Sequence, residues 1–182
     1  MLVLTEKKQG VGWLYLNRPD SLNSLTAELA ADVVEAVAQL EADPEVRVIV
    51  FSGQGRAFCA GGDLASLKAL EQEEDAVAFV QAAGKTSEAL FNCRKPVIAM
   101  VNGVAAGAGF NLALACDLVF AAAGVKFIQS FSNIGLVPDC GGHYFLPRAI
   151  GIWRAKQAMF EALPITAEEG KELGFVNAIY PA

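Results

Sequence analysis

The chain has 182 residues, with 14 Lys+Arg against 20 Asp+Glu for a formal charge of −6, 54% hydrophobic residues and 19% charged. So much apolar content with so little charge excludes a disordered chain, and the length fits one domain, residues 1–182, able to bury roughly 70% of its extended-state surface. A sequence pI near 4.8 excludes a general binder of nucleic-acid backbones, which needs clustered cations.

Two strand-like stretches open the chain, Leu2–Glu6 and Val11–Leu16, around a Lys-Lys-Gln-Gly turn. LNRPDSLNS reads as a turn-rich loop. Thr26 then N-caps a helix whose apolar positions Leu29, Val33, Val37 and Leu40 recur at helical spacing, ended by Ala42-Asp43-Pro44. Arg47–Ser52 (RVIVFS) is a nearly continuous β-branched run, the pattern of a strand covered on both faces. GQGRAFCAGGD forms a glycine-rich loop, and a mostly helical stretch follows to about Cys93 with Phe79, Leu90 and Phe91 as core contacts. Pro96–Val101 (PVIAMV) is a second buried strand, and Asn102–Gly109 is a small-residue loop opening a helix through Asn111–Cys116.

Short strands are expected at Leu118–Ala121 and Val125–Phe127, a third loop at Gly135–Gly142, and two helical patterns in His143–Leu163. Thr166 and Glu169 make a capping box for a last helix stopped by Gly174, before a strand at Phe175–Tyr180. The recurring order of strand, small-residue loop and helix defines an α/β protein with largely parallel pairing. Periodicity alone leaves open a doubly wound sheet or a ββα spiral.

Cys59, Cys93, Cys116 and Cys140 form no C-x-x-C pair, and His143 is the one histidine, so no metal site is expected. The opening MLVLTEKKQG lacks the layout of a signal peptide, and no apolar run approaches the ~20 residues that span a bilayer. The expectation is a soluble protein of a reducing compartment, the cytoplasm, with neither membrane nor nucleic acid as a partner.

Two glycine-rich loops, Ala60-Gly61-Gly62-Asp63 and Gly103–Gly109, each join a buried strand to a helix. Small residues let backbone N–H groups approach a ligand, and a helix N-terminus adds positive partial charge. Two such groups converging on one oxygen make an oxyanion hole; tight packing of loop on strand is the plainer account of either loop alone. Neither loop has the Walker or dinucleotide glycine spacing.

LNRPDSLNSL, FSGQGRAFCAGGDL, KPVIAMVNGVAAGAGFNLALACDLVFA and IGLVPDCGG, in that order and spanning the chain, resemble four successive signatures of the enoyl-CoA hydratase/isomerase (crotonase) superfamily. The resemblance implies a crotonase-like ββα spiral, an acyl-CoA thioester substrate, and no cofactor beyond the coenzyme A of that substrate. It implies a thioester carbonyl held by the N–H groups of Gly62 and Ala108. Ala60, Gly62 and Leu64 are expected along the CoA and thioester channel, with Asp63 beside them, and the stretch around Leu22 and Asn23 at the adenine-ribose end. Such proteins form trimers or dimers of trimers through helices beyond the strand at Phe175–Tyr180. The chain stops at Ala182, so a C-terminal helical region is expected to be missing, while the resemblance implies a homo-oligomer, a trimer or hexamer.

Hydratases of this superfamily use two glutamates, and those motif positions are occupied here by Asn111 and Phe131. Asp139 is the acidic residue of the third loop; facing an apolar cleft with Phe110 or Phe131, it is raised in pKa and becomes a better base. The segment is most similar to the epoxyenoyl-CoA isomerases of phenylacetate breakdown, in which the corresponding aspartate is the proposed base. The reading is therefore a double-bond isomerase in which Asp139 removes a γ proton from a 3-enoyl-CoA and returns it at the α carbon. Local sequence alone favours Asp139 as a turn or capping residue. The alternatives are a hydratase working with one carboxylate, an aryl-CoA dehalogenase, which would need a histidine that residues 64–93 lack, and a non-catalytic acyl-CoA-binding protein. Asp63 reads locally as a helix cap, His143 as a surface residue and Cys140 as packing. Arg18 and Arg56 stand near the expected CoA mouth, in reach of phosphate.

Overall fold

The computed structural model describes residues 1–181. The first strand, β1 (Val3–Lys8), pairs antiparallel with β2 (Val11–Leu16), and α1 (Ala27–Ala42) crosses to β3 (Val48–Gly53). Thr26 accepts a 3.2 Å bond from the Leu29 N–H, and Leu29, Val33, Val37 and Leu40 are all buried, as their spacing predicts. From β3 the chain repeats one unit three times. β3 leads to β4 (Ala57–Cys59) and the helices α2 (Leu64–Lys68) and α3 (Glu73–Phe91); β5 (Val97–Val101) leads to β6 (Val104–Ala106) and α4 (Ala108–Leu114); β7 (Leu118–Ala122) leads to β8 (Lys126–Ile128) and the helices α5 (Gly142–Ile150) and α6 (Ile152–Glu161). β9 (Ile165–Thr166), α7 (Ala167–Leu173) and β10 (Ala178–Tyr180) close the order.

The first strand of each unit joins a six-stranded sheet, β1-β2-β3-β5-β7-β10, and the second joins a four-stranded sheet, β4-β6-β8-β9. Every pairing is parallel except β1–β2 and β8–β9. Each unit therefore visits one sheet, then the other, then a helix, which resolves the open topology as the ββα spiral. The central strands β3 and β5 bury Ile49, Phe51, Val97 and Ala99 completely, as a strand covered on both faces does. The second sheet is the part the sequence conceals: β4 and β6 run inside the two segments expected to be glycine-rich loops.

Several expectations change. Phe91 is half exposed on α3, its ring 5.2 Å from that of Phe145, whereas Phe79 and Leu90 are buried as expected. The last strand begins at Ala178; Phe175 and Val176 instead pack inward, Phe175 against Phe127 and Phe110. α4 begins at Ala108, three residues before the expected start, because Gly107 takes φ +51 and lets the helix open at the end of the loop. The Thr166–Glu169 capping box and the Gly174 stop are present.

Candidate active site

The site is built where the three units turn from the second sheet into their helices. In the first unit, Gly61 takes φ +100, a conformation open to glycine at little strain, and a Cβ there would stand 2.9 Å from the Ala106 carbonyl oxygen and 3.6 Å from the Ala108 nitrogen. The first and second loops are thus in contact through backbone. Gly109 explains how close they come: a Cβ on it would lie 2.1 Å from the Cys59 carbonyl oxygen, so only a bare backbone lets α4 reach the end of β4.

The strap between β2 and α1 holds the first loop in place. Leu25 donates to the Gly61 carbonyl (2.7 Å), Asp63 donates to the Leu25 carbonyl (2.9 Å), and Ala60 donates to the Leu22 carbonyl (3.0 Å). The Gly62 peptide sits inside this bracket. Among the described residues neither the Gly62 N–H nor the Ala108 N–H donates to a protein acceptor. At Ala108 that freedom is structural, since the first N–H groups of a helix have no partner within it and Gly107 brings no capping side chain. Two unclaimed donors on abutting loops are what an oxyanion hole requires.

Asp63 caps α2: its Oδ1 accepts from the Ser66 N–H (3.0 Å) and its Oδ2 from Ser24 Oγ (2.8 Å) and the Arg18 guanidinium (3.1 Å). These bonds, the Ser66 N–H foremost, hold its carboxyl down at about 2, against the opposing effect of its own burial. Arg18 is accordingly drawn into the fold, also donating to the Ser24 carbonyl, while Arg56 remains exposed. Leu22 and Asn23 take left-handed backbone. Asn23 is fully buried, with Nδ2 on the Gln54 and Ala57 carbonyls, so it ties the strap to β4. Ala60 is half-buried and Leu64 exposed at the rim.

The third loop brings Asp139. Its carbonyl oxygen accepts from Asn111 Nδ2 and from the Gly142 N–H, both at 2.8 Å, which places it beside the first turn of α4, three residues past Ala108. The Asp139 carboxylate keeps Oδ1 buried without a hydrogen-bond partner. Burial pushes its pKa up, opposed by the Cys140 thiol beside it and by the nearby His143. An acceptor left unpaired in a covered site is an unfavourable arrangement in the fold and a favourable one for a proton acceptor. His143 is exposed on α5, and burial pushes the Cys140 thiol up, leaving no thiolate nucleophile.

Phe131 is buried with its ring 3.6 Å from the Cβ position of Gly107, so it covers the second loop next to Ala108. Phe110 is a correction. It is fully buried with ring centroids 5.1 Å from Phe127 and 5.2 Å from Phe175, a core position, because two residues along a helix turn the side chain away from the face of Ala108. Gln129, 1% exposed and donating to Asn111 Oδ1 at 2.7 Å, belongs to the site and carries no sequence signal beyond a polar residue at the end of a short strand. A groove along α6 and α7, lined by Arg154, Gln157, Glu161, Leu163 and Glu169, includes none of these residues.

A spiral of ββα units laid across two mostly parallel sheets is the architecture of the crotonase fold. The model of the enoyl-CoA hydratase/isomerase family matches residues 6–182, and the chain belongs to that family. It is 40% identical to the 1,2-epoxyphenylacetyl-CoA isomerase of Escherichia coli over 96% of this chain and 68% of that protein. It is 34% identical to a probable peroxisomal enoyl-CoA hydratase of Arabidopsis thaliana over 98% of this chain and 66% of that one. The crystal structure of an enoyl-CoA hydratase from Polaromonas sp. JS666 superposes with a TM-score of 0.95 at 37% identity, covering 99% of this chain and 71% of that one. The chain spans about two thirds of the length of these relatives. No helix among the described residues is long and apolar enough to cross a membrane.

Proposed function

We propose that this protein binds an acyl-CoA thioester and shifts its double bond, converting a 3-enoyl-CoA to the conjugated 2-enoyl-CoA. The observation that carries this reading is the Asp139 carboxylate: its Oδ1 is buried and unpaired, its pKa is raised, and its residue is tied through the backbone carbonyl to Asn111, three residues past the free Ala108 N–H in α4. The positions where the resemblance expects the two hydratase glutamates hold Asn111, whose amide is fully engaged in the fold, and the apolar Phe131. One base remains, and one base suffices for a 1,3 proton shift.

Acidity reverses the order of transfers expected from the sequence. In a 3-enoyl thioester the α carbon lies between carbonyl and alkene, so its proton is the acidic one. Asp139 takes that proton; the C–H electron pair forms a double bond between the α carbon and the carbonyl carbon, the β,γ double bond stays in place, and the carbonyl π pair moves onto the thioester oxygen, giving a dienolate. The Gly62 and Ala108 N–H groups receive that charge, in a setting where each such donor contributes about 3–4 kcal/mol to the barrier. Collapse of the dienolate moves electrons to the γ carbon, which takes the proton back from Asp139, and the carboxylate is regenerated. The same donors and base would serve the isomerisation of an epoxyphenylacetyl thioester, the substrate in the name of the Escherichia coli relative.

The test is a spectrophotometric assay of the purified chain on a 3-enoyl-CoA and a 2-enoyl-CoA, with Asp139→Ala alongside. Formation of conjugated product that the variant loses supports the isomerase. Water addition to the 2-enoyl-CoA that the variant retains replaces it with a hydratase. Coenzyme A affinity without turnover on either substrate replaces it with a binding protein.

A further inference from the structure

We propose that Gln129 and Asn111 are positioning residues that aim the Asp139 carboxylate, acting as a directed chain of amide hydrogen bonds that starts on β8 and ends on the third loop. The proposal rests on the reading of Asp139 as the base. Gln129 Nε2 donates to Asn111 Oδ1 at 2.7 Å, and Asn111 Nδ2 donates to the Asp139 carbonyl oxygen at 2.8 Å. Both amides are shut away from water, at 1% and 0% exposure.

The direction of this chain is set from its far end. A carbonyl oxygen only accepts, so Asn111 must turn its NH2 toward Asp139 and its oxygen toward Gln129. Gln129 must then turn its own NH2 toward Asn111, since the opposite rotamer would set oxygen against oxygen. The consequence is visible: Gln129 Oε1 is buried with no donor at all. A buried amide that only filled space would be free to rotate toward a partner for its oxygen. This one is held with an acceptor unmet, in the orientation the Asp139 carbonyl demands.

What the chain fixes is a turn that does not hold itself. Residues 139–142 close through the Gly142 N–H on the Asp139 carbonyl, with positive φ at both central positions, +45° at Cys140 and +76° at Gly141. A non-glycine residue at such a φ is strained, and strain of this kind persists where the surroundings impose it. Asn111 supplies the second donor to the same carbonyl, so the peptide plane after Asp139 is clamped from two sides, and with it the direction in which the Asp139 side chain leaves the backbone. Gly142 presses the clamp shut, since a Cβ there would stand 2.5 Å from Asn111 Nδ2. Without Asn111 the turn relaxes and the carboxylate swings off the line to the α carbon, where a displacement of about 1 Å is worth up to 100-fold in rate.

The experiment compares Asn111→Ala, Gln129→Met, the double variant and Asp139→Asn on a 3-enoyl-CoA, with amide exchange of the 136–142 segment read on each. The expected result for each single positioning variant is a kcat lowered about 10–100-fold, a KM within about twofold of wild type and faster exchange in that segment. Links in series predict that the double variant falls no further than Asn111→Ala, whereas independent effects would multiply. Gln129→Met, which keeps the side-chain volume, decides the matter if Asn111→Ala does not fold. Wild-type turnover in both single variants beside an inactive Asp139→Asn overturns the positioning role alone. An active Asp139→Asn overturns the base assignment itself, and the positioning role with it.

Discussion

Arg18 Nη1 stands 3.1 Å from Asp63 Oδ2, a pair 45 residues apart in sequence that fastens the strap after β2 to the loop carrying Gly62. Both side chains are mostly covered, and Ser24 and Ser66 complete the coordination of the carboxylate. The pair holds Asp63, the residue that follows Gly62, against the strap, and so braces the first loop.

This pair gives the first prediction. The Asp63 carboxyl is depressed from 3.8 to about 2 in the fold, so its contribution is present above the unfolded value and is lost as pH falls from about 4 toward 2. It amounts to about 2 kcal/mol at neutral pH. Asp63→Ala is expected to lose that stability at pH 7 in denaturant titration and to show a shallower acid limb than wild type.

Asp139 has the opposite sign. Its folded pKa is raised from 3.8 by burial, against the Cys140 thiol and His143. The protonated form is therefore the one the fold favours, and stability declines as pH rises through the raised value. Asp139→Asn is expected to melt higher than wild type at pH 8 and alike below pH 3. Activity runs the other way, because the base must be ionised: kcat/KM should climb with pH to a midpoint above the ordinary aspartate value.

Phe110 and Phe131 should separate stability from catalysis. Phe110→Ala opens a cavity between Phe127 and Phe175 and is expected to lower stability by about 3–5 kcal/mol. Phe131→Ala uncovers the second loop at Gly107 and is expected to change kcat/KM more than Phe110→Ala does, measured at a temperature where both variants are folded.

Gly109→Ala tests the contact that joins the first two units. A methyl group 2.1 Å from the Cys59 carbonyl oxygen cannot be accommodated without moving α4 off β4. The expected outcome is an insoluble or loosely packed protein, seen by circular dichroism and exposed-surface dye binding.

Much of this is legible in the sequence because it is local. The α1 stripe, the Thr26 cap, the Thr166–Glu169 box and the buried β3 and β5 runs each follow from spacing within one element, and the structure has all of them. β4 and β6 hide because three-residue strands amid glycine carry no period to read; only their pairing with one another and of β6 with β8 makes them strands. Phe110 misleads because motif proximity to Ala108 says nothing about which side of the helix it takes. Gln129 and the Arg18–Asp63 pair stay unseen because their meaning lies in partners 18 and 45 residues away.

In the proposed reaction the two donors, at Gly62 and Ala108, are peptide groups and the proton acceptor, at Asp139, is a side chain, delivered by separate turns of the spiral. Backbone groups are indifferent to the residues that bear them, so the part of the site that steadies an enolate survives almost any substitution that keeps the loops in contact. The acid or base on the third turn is a single replaceable side chain. A scaffold divided in this way can exchange one thioester reaction for another by swapping that residue while its grip on the carbonyl oxygen stays unchanged. Within such a scaffold the reaction performed is a property of the third turn, and the substrate class a property of the first two.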